Sequence, residues 1–113
     1  MTDEPVSLAQ LLRVEVDPDL VREALGAVID PELGVSIVEL GLVYDVSVDD
    51  GIARVLLTTT TPACPIGSYL EDEVRWAALA IDGVLDVEVV LTHEPPWSPE
   101  RMTDLGRTQL GWI

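Results

Sequence analysis

The sequence predicts an α+β fold. It is a two-layer domain with a three-stranded sheet, a β-hairpin within that sheet, two main helices on one face and a short C-terminal helix. Three observations predict it. Asp50-Gly51 lies between two alternating apolar runs and is a signal for a two-residue type I′ turn. A stretch on each side of that hairpin repeats apolar residues at helical spacing. A further alternating run, Val84 to Thr92, follows the second helical stretch.

The chain has 113 residues, which suits one domain with a modest core. Residues 1–16 read as a flexible leader and residues 17–113 as the domain. Ser7 followed by Gln10 is a capping-box pattern, which allows a short helix over Leu8 to Arg13. Asp17-Pro18 then starts the first main helix with an N-cap acid and a proline at the first helical position. Leu20, Val21, Ala24, Leu25 and Val28 form its apolar stripe. Pro31 disfavours helical geometry at Asp30, so the helix should stop near Ile29.

Asp30-Pro31-Glu32-Leu33-Gly34 follows. Residue type favours a plain turn there, with Gly34 supplying backbone freedom. The alternative places Asp30 or Glu32 near a metal or a partner. The hairpin runs from Leu42 to Val48 and from Ile52 to Thr59. Its two-residue loop pairs Val48 with Ala53, Val46 with Val55 and Tyr44 with Leu57, putting all six on one face.

The second main helix starts at Pro65 and buries Ile66, Leu70, Val74, Ala77, Ala78 and Ile81. Glu71, Asp72 and Glu73 give it an acidic front, and Asp82-Gly83 ends it. In the third strand Leu85, Val87, Val89 and Leu91 face one way, and Asp86 and Glu88 the other. Ser98-Pro99 is an N-cap and first residue for the closing helix. Trp97 and Met102 are spaced as a hydrophobic staple, which assigns Trp97 to stability.

Composition narrows the function. Hydrophobic residues make up 48% of the chain, enough to fold. No apolar run approaches the roughly 18 residues that span a bilayer, and the acidic N-terminus does not read as a signal peptide. The expectation is a cytoplasmic protein with no membrane role. Against 21 acidic residues stand 6 basic ones, a net charge of −15 that should repel nucleic acid and anionic membranes. Proteins with basic patches, or metal ions, fit such a chain better. A solvated acidic coat explains most of the excess.

The sole cysteine, Cys64, stands in Thr58-Thr59-Thr60-Thr61-Pro62-Ala63-Cys64-Pro65, between a strand and a helix. With Pro65 as the first helical residue, Cys64 falls at or beside the N-cap, where the helix dipole favours a thiolate. The plainer alternative is a small buried hydrophobe. One cysteine and one histidine cannot supply the usual structural zinc sets, and no C-x-x-C, H-E-x-x-H or glycine-rich phosphate loop occurs. A Cys-His hydrolase would need Cys64 as nucleophile and His93 as base, with both at one sheet edge if their strands run parallel. An exposed loop residue is the plainer reading of His93, and no further element of a hydrolase signature is present. The expectation is therefore a protein that is not an enzyme. The other option is a metal site shared between two chains of a homodimer. Two copies of Cys64, helped by carboxylates or His93, would hold iron or a small labile iron–sulfur cluster.

Four motifs then occur in order: Asp30-Pro31-Glu32-Leu33-Gly34, Ile37-Val38-Glu39-Leu40-Gly41-Leu42-Val43-Tyr44, Thr61-Pro62-Ala63-Cys64-Pro65, and Pro95-Pro96-Trp97-Ser98-Pro99-Glu100-Arg101-Met102. From about Asp17 onward the chain closely resembles the iron–sulfur assembly family that includes the SufT and PaaD proteins. The resemblance implies an α+β domain related to the C-terminal domain of NifU-type scaffolds. It also implies a role in maturing iron–sulfur proteins beside Suf-type scaffolds or a cluster-carrying ATPase, with apo client proteins as further partners. The family's motif cysteine falls on Cys64 and its leading acids fall on Asp30 and Glu32. PaaD proteins typically carry a cysteine-rich zinc-binding extension, and its absence before Ile113 matches the short stand-alone type.

The resulting expectation is an assembly factor in which Cys64 contacts iron or a cluster during transfer. Asp30, Glu32 and His93 are the candidate supporting ligands. Pro31, Glu39, Thr61, Pro65 and Trp97 are the candidate motif or partner-binding residues. A pure adaptor that recognises scaffold or client proteins without touching metal is the alternative.

Overall fold

The computed structural model of the protein describes residues 16–61 and 66–111. The leader up to residue 15, the segment 62–65 with Cys64 and Pro65, and residues 112–113 lie outside the described residues. Val16, the last residue of the expected leader, is buried with the core.

Helix α1 spans Pro18–Leu25. The Asp17 carboxylate accepts the Asp19 N–H at 2.9 Å, which satisfies one of the donors a helix start leaves open. Val21 and Leu25 are fully buried, and Val28 follows them into the core. Two expectations are corrected here. Leu20 faces solvent, 52% exposed, and the helix ends at Leu25 rather than near Ile29. Ala27 and Val28 instead donate three residues back, a tightening that closes the helix before Ile29 bridges to Ser36.

Strands β1 (Val43–Asp49) and β2 (Ile52–Leu57) form the hairpin. Asp50 and Gly51 both have positive φ, 50° and 81°, as a type I′ turn requires. Val48 pairs with Ala53 and Val46 with Val55, as expected. The register then slips: Val43, not Tyr44, pairs with Leu57. An extra residue on β1 makes a bulge, which turns Val43 into the core and re-aims Tyr44. Tyr44 donates its hydroxyl to the Pro95 carbonyl at 2.8 Å, and Arg101 stacks on its ring at 4.6 Å.

Helix α2 (Gly67–Leu79) carries the chain back across the sheet. Its N-cap is Ile66, so it starts two residues later than the expected start at Pro65, and the N-cap position falls on Ile66 rather than on Cys64. Strand β3 (Asp86–Leu91) then pairs in parallel with β2, giving the order β1-β2-β3. Leu70, Val74 and Ala78 of α2 are fully buried, and Ile66, Ala77 and Ile81 pack against the same core. The helices touch each other, α1 lies on β1 and α2 on β3, so both cover one sheet face. Val43, Val46, Ala53, Val55, Leu57 and Val87 are buried on that face. Among the described residues no helix covers the other face, and Arg54 pairs with Glu88 at 3.0 Å across it. Leu85, expected inward, precedes β3 and is 69% exposed, packed beside Gly51 at the hairpin turn.

The closing helix divides in two. A 3₁₀ turn, Pro99–Arg101, precedes helix α3, Asp104–Gln109. Between them Met102 takes an extended conformation and inserts into the core, 5% exposed. Thr103, not Ser98, caps α3 by accepting the Gly106 N–H at 3.1 Å.

Candidate functional site

The parallel pairing of β2 and β3 brings both strands to an end at one edge of the sheet. Beyond Leu57 come Thr58, Thr59 and Thr61; beyond Leu91 come Thr92 and His93. Thr92 donates to the Leu57 carbonyl at 2.8 Å and Thr58 to the Leu42 carbonyl at 2.9 Å, so the ladder continues to the edge. Helix α2 starts over it. A Cβ on Gly67 would lie 3.3 Å from Leu91 Cδ2 and 3.9 Å from Thr59 Cγ2, a close approach that a bare glycine permits. The start of α2 has no side-chain cap and no acid in its first turn. Its first N–H groups and the positive end of its dipole are therefore not offset by its own side chains.

His93 is fixed at this edge. Its Nε2 lies 2.9 Å from Thr59 Oγ1, and Thr59 Oγ1 lies 2.6 Å from the Thr61 carbonyl oxygen. A carbonyl only accepts, so the single hydroxyl proton of Thr59 goes to Thr61. Nε2–H of His93 must then be the donor to Thr59, which assigns the tautomer and leaves the Nδ1 lone pair outside this chain of bonds. His93 is half-buried, not a free loop residue, and Thr59 is 3% exposed. Sequence reasoning singled out Thr61 as a motif residue and gave Thr59 no role. The signal that finds Thr59 is its place just past the end of a strand that runs parallel to the strand before His93.

The other predicted residues are placed differently. Asp30 is buried, and its Oδ1 accepts the N–H groups of Glu32 at 2.8 Å and Leu33 at 3.1 Å. Gly34, at φ 70°, donates to the Asp30 carbonyl at 2.7 Å and closes the loop. This is the plain turn that the residue types favour, with Pro31 and Glu32 exposed on it. The Glu39 carboxylate accepts the Thr103 hydroxyl, and the Glu39 carbonyl accepts the Thr103 N–H at 2.9 Å, so Glu39 anchors the start of α3. Trp97 is half-buried against the core and donates Nε1–H to the Leu40 carbonyl at 2.7 Å, a bond that its spacing to Met102 did not reveal. Thr61 is exposed at the edge. Among the described residues, no three histidine, aspartate or glutamate side chains group as a metal site, and no buried side-chain polar atom lacks a hydrogen-bond partner.

Residues 18–90 match the family described as iron–sulfur cluster assembly protein. The chain is 44% identical over 92 residues to the Fe-S protein maturation auxiliary factor YitW of Bacillus subtilis (strain 168), covering 80% of this chain and 90% of that one. It is 44% identical over 85 residues to the Fe-S protein maturation auxiliary factor SufT of Staphylococcus aureus (strain USA300), covering 74% and 97%. The fold superposes on the crystal structure of a domain of unknown function from Bacillus anthracis with a TM-score of 0.80 at 39% identity, covering 85% and 92%. The chain belongs to the iron–sulfur cluster assembly protein family.

Proposed function

We propose that this protein is a maturation factor for iron–sulfur proteins and that Cys64 contacts iron or a cluster in transit, as cargo. One observation supports this above the others. The edge that gathers Thr59, Thr61, His93 and the uncapped start of α2 is the edge from which the chain runs on, between Thr61 and Ile66, through Cys64. The start of α2 carries no acid in its first turn, and a thiol held beside such a helix start would have its pKa lowered by the helix N–H groups and the dipole. Binding iron displaces the thiol proton. Release is a ligand exchange without net redox change: a client thiolate replaces the Cys64 thiolate on iron, and the freed thiolate takes up a proton. A single cysteine per chain makes the hold weak, which suits transfer. The remaining iron ligands come from His93 Nδ1, from a carboxylate such as Glu32 or Asp30, from a second Cys64 in a homodimer, or from the scaffold and client proteins themselves. Asp30 would have to give up two backbone bonds to serve.

The test is Cys64→Ser in the full-length protein, returned to a strain lacking the native one, with the activity of an iron–sulfur client as the readout. The proposal expects client activity to stay at the level of the deletion strain while the variant accumulates normally. Full restoration would mean that the protein acts as an adaptor that never holds metal.

A further inference from the structure

Helix α2 has a second face that the core does not use. Tyr69, Asp72, Glu73 and Trp76 follow the i, i+3, i+4, i+7 spacing, so they form one stripe opposite Leu70, Val74 and Ala78. Tyr69 is 47% exposed and Trp76 71%, with Leu79 beside them at 36%. A large aromatic side chain this exposed on an ordered helix is unusual, and tryptophan and tyrosine are the residues that most often anchor protein interfaces. The two acids lie between the two rings. Asp72 meets Arg75 at 3.5 Å, a surface pair that contributes little and leaves Glu73 without that cation.

We propose that the outer face of α2 is a docking surface for a basic, amphipathic segment of a partner protein, with apolar side chains seated on Tyr69 and Trp76 and arginines meeting Asp72, Glu73 and the Trp76 ring. Charge complementarity selects this occupant. A second copy of the chain would bring acids against acids at a net charge of −15 each, and an anionic membrane or nucleic acid would be repelled in the same way. Arginine satisfies both features of the stripe, since it pairs with carboxylates and stacks on indole. The surface also has a direction. Tyr69 is in the first turn of α2, next to the edge that holds Thr59 and His93, whereas Trp76 and Leu79 are farther along. A partner seated on the stripe has one end at the proposed cargo site. The inference does not depend on that site, because docking needs no metal.

The experiment is a titration of the full-length, isotope-labelled protein, without iron, followed by amide and indole resonances. Two short helical peptides serve as probes. Both carry leucine at the positions facing Tyr69 and Trp76; one carries arginine between them and the other glutamate. The expected result is movement of the Trp76 indole and Tyr69 amide resonances with the arginine peptide, at an affinity at least about tenfold above that of the glutamate peptide. Added salt should weaken that binding. Trp76→Ala should reduce the affinity about tenfold, and Glu73→Gln should reduce the preference for arginine, with the resonances of Leu70 and Val74 unchanged in both variants. Equal binding of the two peptides, or movement only elsewhere on the protein, would overturn the proposal. So would Trp76 resonances that shift with protein concentration alone, which would show self-association. Contacts from residues 1–15 to the Trp76 ring in the free protein would also overturn it, since the chain would then cover its own face.

Discussion

The loop that begins at Asp30 and the sheet edge that ends at His93 are both polar, and both are built by side chains bonded to nearby backbone, but they finish differently. In the loop, the Asp30 carboxylate takes two N–H groups and the Asp30 carbonyl takes a third, so the motif closes on itself. At the edge, hydrogen bonds run from His93 through Thr59 to Thr61 without closing: His93 Nδ1 stays outside them, and Thr61 is the last described residue before the segment 62–65. Closed polar loops hold a fold, because unmaking them strands buried groups. An open-ended chain of bonds holds a segment in place and still offers a donor atom to something else.

The largest expected effect lies where the two regions are tied together. Trp97 follows His93 by four residues and bonds back to Leu40, which lies beyond the Asp30 loop. Trp97→Ala should cost on the order of 3 kcal/mol, through lost packing and the stranded carbonyl. An unchanged denaturation midpoint would separate the two regions and make Trp97 a surface residue.

Next comes Asp30→Ala, which strands two N–H groups and should cost about 2 kcal/mol, a fall of roughly 8–16 °C in melting temperature for a domain this size. Asp30→Asn keeps an acceptor oxygen and should recover most of that loss. If Asn is as damaging as Ala, the charge of Asp30 matters beyond the turn.

Thr59→Val is nearly isosteric and should cost only about 1 kcal/mol, because His93 and Thr61 can turn to water. Its larger consequence should be chemical: the rate at which iodoacetamide alkylates native Cys64 should change about severalfold, whereas Asp30→Asn leaves that rate alone. Equal effects from both variants would erase the distinction between loop and edge.

The smallest effect belongs to Glu100, at the 3₁₀ turn. The Ser98 hydroxyl, the backbone and Arg107 together hold its carboxyl below the usual 4.5. A depressed carboxyl stabilises the fold above its unfolded pKa, and that contribution is lost as pH falls through the folded value. Wild type should therefore exceed Glu100→Gln slightly near neutrality and converge with it in the acid range. A gap that widens on acidification would reverse the sign.

Much of the fold was legible because local chemistry and global packing agree. Asp50-Gly51 dictates its turn, and Leu70, Val74 and Ala78 can only face inward. The bulge at Tyr44 was not legible, since alternation alone cannot show where one extra residue is absorbed; the partners of the re-aimed ring, Pro95 and Arg101, lie some fifty residues away. The divided closing helix was hidden by two competing caps, Ser98 and Thr103, and decided by the burial of Met102 between them. Residue type singled out Cys64, which lies outside the described residues, and His93 as candidates, but Thr59 becomes visible only once β2 and β3 are seen to run parallel. The outer stripe of α2 is present in the sequence at Tyr69 and Trp76, on the side of the helix away from the apolar stripe that builds the core.

The central claim is that the edge handles iron through Cys64, and anaerobic reconstitution tests it most directly. Full-length wild type and Cys64→Ser are each supplied with ferrous iron and sulfide, then compared by absorption spectroscopy and native mass spectrometry. The account predicts that wild type gains iron–sulfur charge-transfer bands and a matching mass increase, lost readily to a competing thiol, and that the serine variant gains neither. Identical spectra and masses for the two proteins would contradict it.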